Sequence, residues 1–112
     1  MEIVYRSRQL RKICNEQKKL VQKFGPQIAK RLMQRLTELE AAESLEDMRR
    51  LPGARCHELT ADRKGEFSVD LAHPYRLIFE PDYESPPKKN AGGGLDWKQI
   101  TKICVLEIVD YH

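Results

Sequence analysis

Apolar residues in the first third of the chain recur at helical spacing, after a short stretch that alternates like a strand. Residues 2–6 would place Ile3 and Tyr5 on one side of an extended segment, which predicts a short strand. Ser7 stands where a helix N-cap is expected, and apolar side chains follow at helical spacing as far as Gly25, a residue suited to a helix C-terminus. Pro26 suits the first position of a second helix, whose apolar stripe continues to Leu39. The pattern therefore predicts a strand followed by one amphipathic helix and a second helix, which together form a helical hairpin.

The second half of the chain changes to the period of β-strands. Residues 44–51 predict a short third helix, for which Ser44 is the cap. Four segments then predict strands connected by turns: residues 54–60, 67–71, 75–80 and 100–112. The last of these is apolar on both faces from residue 103 to residue 109, which predicts a buried strand. Helices followed by strands predict an α+β fold, in which the helices cover one face of an antiparallel sheet of three to four strands.

Residues 81–97 differ from the rest of the chain because they combine several prolines, two adjacent lysines and three consecutive glycines. They predict a flexible loop inserted between two strands of a single domain that spans residues 1–112. Lys88, Lys89 and Trp97 could contact nucleic acid, with the Trp97 ring stacked on a base. In the alternative interpretation, the loop is a solvated connection and Trp97 packs at its base.

Composition and charge limit the classes of protein to consider. A chain of 112 residues with 33% charged and 40% hydrophobic residues is typical of one soluble globular domain. Its net charge of +3 permits an anionic partner such as nucleic acid without requiring one. No segment approaches the roughly 18 consecutive apolar residues needed to cross a bilayer. The N-terminus has the pattern of a strand and not of a signal peptide, so no membrane association is expected.

The three cysteines, Cys14, Cys56 and Cys104, are isolated from one another in segments with an apolar pattern. An odd number of isolated cysteines predicts reduced thiols in a cytoplasmic protein. A metal site at Cys56 and His57 would need paired ligand spacing, which the sequence lacks. We therefore expect neither a metal ion nor another cofactor.

Polar residues in or beside the predicted strands form a candidate set for RNA cleavage. The set combines histidines, arginines and an acid: Arg55, His57, Arg63, Arg76, Asp110 and His112. Attack of an RNA 2′-hydroxyl on the adjacent phosphate needs a base, an acid and cations around the reacting phosphorus. Histidine serves either proton-transfer role, arginine binds phosphate oxygens, and the substrate supplies the nucleophile without a metal ion. Each residue also has a structural alternative, such as an ion pair of Arg76 with Glu107 or Asp110 inside the sheet.

Three sequence motifs resemble those of the HigB branch of the RelE/ParE toxins. They are residues 55–69 (RCHELTADRKGEFSV), 75–79 (YRLIF) and 110–112 (DYH). The likeness in motifs begins near residue 51, whereas the preceding strand and helices are similar in architecture alone. The resemblance implies a RelE-like microbial RNase fold and a type II toxin, an endoribonuclease that cuts mRNA on the ribosome and inhibits translation. It also implies neutralisation by a cognate HigA-like helix-turn-helix antitoxin, through which alone the toxin would reach operator DNA.

The resemblance also assigns candidate roles to individual residues. The positions that match the family's catalytic group are His57, Asp110, Tyr111 and His112. In this interpretation the two histidines transfer protons, the aspartate orients a partner, and the tyrosine either stacks or donates a hydrogen bond to phosphate. The predicted RNA-binding residues are Arg55, Arg63, Lys64 and Arg76. Of these, Arg63 and Arg76 match positions that contact RNA phosphate or support the site.

The sequence departs from the family pattern in two places. Thr60 occupies a position where the family often has lysine, and Lys64 is the candidate replacement for the lost charge. The loop at residues 81–97 is much longer than the usual tight connection, which could alter ribosome docking or antitoxin binding.

Two other functions are compatible with the same fold. One is a non-catalytic module that binds nucleic acid or protein, and the other is a ParE-like poison of a topoisomerase. Neither would need His57 together with a terminal Asp-Tyr-His sequence, so these residues discriminate between the hypotheses.

Overall fold

One sheet of five strands forms the centre of the fold. The computed structural model describes residues 1–82 and 95–110. The strands are β1 (Glu2–Tyr5), β2 (His57–Glu58), β3 (Phe67–Asp70), β4 (Tyr75–Pro81) and β5 (Lys102–Asp110). Their order is β1-β5-β4-β3-β2, and neighbours are antiparallel except β1, which is parallel to β5. The predicted α+β fold is confirmed, with a mixed sheet because β1 joins the edge.

Three helices pack against this sheet: α1 (Arg8–Asn15), α2 (Gln17–Phe24) and α3 (Pro26–Ala41). Ser7 is the N-cap as predicted, since its hydroxyl accepts the backbone N–H of Leu10 at 3.1 Å. The single helix predicted after this cap is wrong, because Glu16 is extended (φ −117°, ψ 100°) and separates α1 from α2. The side-chain amide of Asn15 donates to the carbonyl of Arg11 at 2.7 Å, a local bond that competes with continuation of the helix.

The second helix and the third form the predicted hairpin. Gly25 joins them with φ 87°, a conformation that side chains rarely adopt. Pro26 then begins α3 at a position where a backbone N–H is not needed. The hairpin and one face of the sheet enclose a core whose largest fully buried side chains include Leu20, Leu32, Leu39, Phe67 and Phe79. None of the helices in the described part of the chain is long and apolar enough to span a membrane.

Short 3-10 segments connect these elements: Leu45–Arg50, Pro52–Ala54, Ala61–Arg63 and Trp97–Gln99. The first lies where a short helix is predicted, but Ser44 forms no side-chain cap. Instead, the carboxylate of Asp47 accepts the N–H of Glu43 at 2.9 Å. The strand predicted at residues 54–60 is limited to β2, because Arg55 has φ 46° in the left-handed region, which an extended strand excludes.

The segment predicted as a loop at residues 81–97 contributes structure at both of its ends. Pro81 belongs to β4, and Trp97 is only 7% exposed. The Trp97 ring meets Phe67 edge-on with centroids 5.3 Å apart, and the guanidinium of Arg49 lies 3.7 Å from the Trp97 centroid. The prediction that Trp97 stacks on a base is therefore wrong, and the alternative of a packed ring is confirmed. Two other predicted contacts lie outside the described residues: Lys88 and Lys89.

The last strand, β5, is less buried than the sequence predicts. Ile103 and Val105 are fully buried, whereas residues 106–109 are half-buried. The prediction of burial on both faces is wrong, because Cys104, which lies between Ile103 and Val105, is also only half-buried. The pairing of β1 with β5 ends opposite Val105, so the remainder of β5 lies beyond the end of its neighbour.

A bulge in β5 changes which side chains face the helices. Phe79 pairs with Val105 and Ile78 pairs with Glu107, which leaves Leu106 as an additional residue in β5. Such a residue interrupts the strict alternation of side chains between the two faces of a strand. After the bulge, even-numbered residues of β5 lie on the helix side, where odd-numbered residues lie before it.

Candidate functional site

The face of the sheet opposite the helices, here called the open face, carries much of the predicted chemistry. Side chains of directly paired residues in neighbouring strands project from the same face. One row of paired residues crosses this face: His57, Ser68, Ile78 and Glu107. The next row contains Asp70, Arg76 and Val109. The structure thus brings His57 and Arg76, from two separate motifs, to one face.

Residues 59–66, here called the strap, cross part of the open face. Arg63 extends from the strap to Glu107 of β5, which lies beyond β3 and β4 in the sheet. Ser68 and Ile78 lie in the row between them and have no exposed surface. The strap closes on itself where the N–H of Leu59 donates to the carbonyl of Glu66 at 2.8 Å. The middle of the open face is therefore covered. Thr60 and Lys64 are among the exposed residues of the strap.

His57 is held in a defined orientation. Its Nδ1 lies 2.8 Å from the carbonyl oxygen of Arg55. A carbonyl oxygen accepts hydrogen bonds and cannot donate them, so Nδ1 carries the proton in this bond. The neutral ring consequently has its lone pair on Nε2, which is the atom suited to accept a proton. The left-handed conformation of Arg55 places its carbonyl within reach of the histidine two residues later.

Two predicted RNA-binding arginines meet at one carboxylate, and we call this group the Asp70 cluster (Arg55, Asp70 and Arg76). Arg55 Nη1 lies 3.4 Å from Asp70 Oδ2, and Arg76 Nε lies 3.3 Å from Asp70 Oδ1. The side chains of Asp70 and Arg76 are 21% exposed, whereas that of Arg55 is 65% exposed. The cluster borders a cleft of about 290 Å³ that is also lined by His73 and Tyr75. Two arginines therefore share one carboxylate beside this cleft.

Arg35 of α3 supports the Asp70 cluster from the helix side. Its side chain is only 3% exposed, and its Nε donates to the backbone carbonyl of Asp70 at 2.8 Å. Its Nη2 donates to the carbonyl of Gly53 at 2.8 Å, and its Nη1 pairs with Glu38 at 2.9 Å. Sequence reasoning missed this residue, although an arginine between Leu32 and Leu36 on an apolar stripe signals a buried, paired cation.

The third predicted arginine belongs to a group of opposite charge, the Arg63 cluster (Arg63, Glu66 and Glu107). Arg63 pairs with Glu66 at 2.8 Å and forms a further short hydrogen bond with Glu107. The hydrogen bond to Glu107 raises the pKa of the Arg63 guanidinium. One cation and two anions leave a formal charge of −1, and each side chain is about one-third exposed or less. The guanidinium of Arg63 is therefore already paired with two glutamates of the same chain.

The structure does not bring Asp110 beside His57. Asp110 pairs with Tyr75 on the helix side of the sheet, whereas His57 lies on the open face. Three strand spacings separate β2 from β5, which amounts to roughly 14 Å between backbones. Two further residues of the predicted catalytic group, Tyr111 and His112, lie outside the described residues.

Two cysteine thiols are held in their neutral form by burial. Burial raises the pKa of Cys14 to about 11 and that of Cys56 to about 12. Cys56 lies between Arg55 and His57, and its side chain packs against the hydrophobic core. Within residues 1–82 and 95–110, no group of three or more His, Cys, Asp or Glu side chains is placed to hold a metal ion.

Comparison with known proteins identifies the family. The model of the RelE-like toxin of the type II toxin–antitoxin system HigB matches residues 4–87, which excludes β5. A YoeB/ParE toxin from Agrobacterium tumefaciens has a similar structure, with a TM-score of 0.55 at 10% identity over 100% of both chains. A chain of the YoeB-YefM complex from Staphylococcus aureus gives a TM-score of 0.56 at 17% identity, over 100% of this chain and 97% of that one. No curated protein sequence matches. The chain belongs to the HigB-like family of RelE-like toxins of type II toxin–antitoxin systems.

Proposed function

We infer that this toxin is a ribosome-dependent mRNA endoribonuclease that stops translation by metal-independent attack of an RNA 2′-hydroxyl. The observation that carries this proposal is the orientation of His57. Its Nδ1 is bonded to the Arg55 carbonyl, so its Nε2 remains for proton transfer on the face that also carries the Asp70 cluster. A base next to arginines that can bind phosphate is the arrangement that phosphodiester cleavage requires.

In the proposed reaction, a base removes the proton of the 2′-hydroxyl, and O2′ attacks the adjacent phosphorus. The bond from phosphorus to the 5′-oxygen of the next nucleotide breaks, and an acid protonates that oxygen. The products are a 2′,3′-cyclic phosphate and a 5′-hydroxyl. His57 and His112 are the proposed proton-transfer residues. Arg55 and Arg76 offset the negative charge that increases on the phosphoryl oxygens.

The remaining candidate residues take more limited roles in this proposal. Asp110 lies on the other face of the sheet from His57 and is separated from it by two strands. Its proposed role is therefore to orient groups near the end of β5 and not His57 itself. Tyr111 stacks on the substrate or donates to phosphate. Lys64 is exposed on the strap and attracts RNA, whereas Arg63 supports the site through its two glutamates.

We further propose that a cognate HigA-like helix-turn-helix antitoxin neutralises the protein, and that operator DNA is reached only through the antitoxin. Membership of a toxin–antitoxin family supports such a partner, and the similar Staphylococcus aureus structure is a YoeB-YefM complex. Because the proposed target is the translating ribosome, the proposed location is the cytoplasm.

Induced expression of wild type, His57→Ala and His112→Ala tests the proposed reaction. Wild type should arrest growth and produce mRNA ends at codon-phased positions, and both variants should lose these effects. Lys30→Ala, a change on the exposed side of α3, is the control and should behave as wild type. The proposal fails if both histidine variants arrest growth as strongly as wild type. Intact messages together with DNA damage would indicate a topoisomerase as the target.

A further inference from the structure

The Asp70 cluster joins a fixed carboxylate to an arginine that can move. Asp70 lies at the end of β3, its backbone carbonyl is bonded to the buried Arg35, and its Oδ1 has no exposed surface. Arg55 instead lies on a turn between elements, and its side chain is 65% exposed. An exposed ion pair at 3.4 Å contributes little to stability and exchanges readily with solvent or with another anion. Asp70 is therefore the stationary partner of this pair.

The charge of Asp70 offsets part of the attraction that the two arginines would exert on an anion. Asp70 supplies the carboxylate that pairs with Arg55 beside the cleft, so removal of its charge would take away one negative charge that an incoming anion must displace. An anion that enters the cleft competes with Asp70 for the guanidinium of Arg55. Guanidinium groups bind phosphate oxygens with paired, directional hydrogen bonds, so a phosphodiester is a suitable competitor.

We propose that the cleft beside the Asp70 cluster binds a phosphodiester group of RNA, and that Asp70 is a built-in counter-ion which this phosphate displaces from Arg55. The inference rests on the proposed function, because RNA is the ligand that the function supplies. Asp70 is thereby a residue that sets RNA affinity without contacting the RNA. Asp70 pairs with the arginines when no RNA is present, and the need to displace it lowers the affinity of the protein for RNA.

The location of the cleft connects phosphate binding to the proposed catalytic histidine. The residue that would exchange partners, Arg55, is also the residue whose carbonyl accepts the proton of His57 Nδ1. Asp70 and His57 lie on the same face in adjacent strands, since Ser68 pairs with His57 and Asp70 follows two residues later. A phosphate in this cleft consequently lies beside the proposed reaction centre, where an RNA strand would pass.

Removal of the Asp70 charge provides the main test. Binding of a fluorescent single-stranded 2′-O-methyl RNA, which cannot undergo 2′-hydroxyl attack, is measured by anisotropy between 50 and 300 mM salt. Asp70→Asn should bind about 3- to 10-fold more tightly than wild type. The slope of log K against log salt should stay close to that of wild type, because Arg55 contacts the same phosphate in both proteins.

A matched control separates this local effect from a change in net charge. Glu43→Gln also removes one negative charge, at an exposed position outside the residues that line the cleft. It should change affinity by less than about twofold, because distant surface charges are screened by salt. Equal or weaker binding by Asp70→Asn relative to Glu43→Gln, with both proteins folded, overturns the proposal.

Arg55→Gln gives a second test that does not depend on the stability of Asp70→Asn. It changes an exposed side chain, so it should leave the fold intact, weaken RNA binding and lower the salt slope. Unchanged binding by Arg55→Gln overturns the proposal. The proposal also fails if Asp70→Asn strengthens binding of a polyglutamate peptide and not of RNA.

The outcome is distinguishable from failure of the proposed function. Tighter RNA binding by Asp70→Asn without codon-phased cleavage by wild type would remove the nuclease function and leave the RNA-binding cleft. Normal cleavage with RNA binding that is unchanged in both variants would remove the cleft and leave the function.

Discussion

The Asp70 cluster and the Arg63 cluster contain the same residue types in opposite proportions. In the first, one carboxylate lies between two arginines, and in the second, one arginine lies between two carboxylates. The sequence predicts the same RNA-binding role for Arg55, Arg63 and Arg76. The structure distinguishes them, because Arg63 pairs with two glutamates whereas the exposed Arg55 pairs with one aspartate that it shares with Arg76. Arg55 is therefore the better candidate for a phosphate ligand.

The two clusters also differ in how they are anchored. Asp70 belongs to a strand whose end is bonded to a buried arginine from α3. Arg63 and Glu66 belong to the strap, and their ion pair to Glu107 crosses the surface of the sheet. The Asp70 cluster is therefore an extension of the core, whereas the Arg63 cluster fastens a surface segment. We therefore expect removal of the buried Arg35, which anchors the Asp70 cluster, to lower the free energy of unfolding more than removal of Arg63.

Loss of the anchor should have the largest effect. Arg35→Met would leave the carbonyls of Asp70 and Gly53 without these donors and would remove the ion-pair partner of Glu38. Because breaking a buried charge network leaves polar groups uncompensated, we expect the free energy of unfolding to fall by about 3–5 kcal/mol. Urea unfolding measures this loss. Arg31→Met, an exposed position on the same helix, is the control and should change stability by less than about 0.5 kcal/mol. A loss below about 1 kcal/mol for Arg35→Met would show that the cluster is not anchored through α3.

Removal of Arg63 should have a smaller effect on stability and little effect on RNA binding. Arg63→Met would leave two partly exposed glutamates without their shared cation, and we expect the free energy of unfolding to fall by about 1 kcal/mol. Urea unfolding and the RNA-binding assay should both be applied to Arg63→Met and to Arg55→Gln. If Arg63→Met weakens RNA binding as much as Arg55→Gln does, the contrast between the two clusters is incorrect.

The smallest expected effect concerns the thiol that lies between Arg55 and His57. Because the pKa of Cys56 is raised to about 12 by burial, only about one thiol in a thousand should be ionised at pH 9. Alkylation by iodoacetamide, followed by peptide mass spectrometry, should therefore be much slower at Cys56 in the native protein than in urea.

The raised pKa of Cys56 has a definite sign for stability. The thiol ionises near pH 9 in the unfolded chain and near pH 12 in the folded one, so its contribution is present below pH 9 and is lost as the pH rises towards 12. Native alkylation at the rate seen in urea would show that the backbone beside the Asp70 cluster is not packed.

The elements of the fold were predictable where they depend on local patterns. Helical spacing with Ser7 and Pro26 at the helix starts located the N-terminal helices, alternation located β3, and an apolar run after a turn located β4. The break at Glu16 was not predictable, because the apolar spacing continues through it. The short length of β2 depends on the left-handed conformation of Arg55, which the sequence does not indicate.

The candidate site was predictable in composition and less so in arrangement. Motifs identified His57 and the arginines, but a one-dimensional pattern does not show which carboxylate approaches which guanidinium. Asp70 has the position of an ordinary polar residue in an alternating strand, and its two partners become evident only from the pairing of β3 with β4 and the turn before β2. The separation of Asp110 from His57 follows from strand order, which sequence reasoning did not supply.

The extra residue Leu106 has a consequence for how related chains are aligned. Because one residue inverts all later positions of β5, the side on which Asp110 lies is determined by the number of residues in the strand and not by their kinds. Two related toxins could share the same final residues but differ by one residue earlier in this strand. The shared side chains would then lie on opposite sides of the sheet. An alignment gap placed in this strand therefore changes which face of the sheet the later residues occupy. Sequence identity of the final residues does not by itself establish that they occupy equivalent positions in the fold.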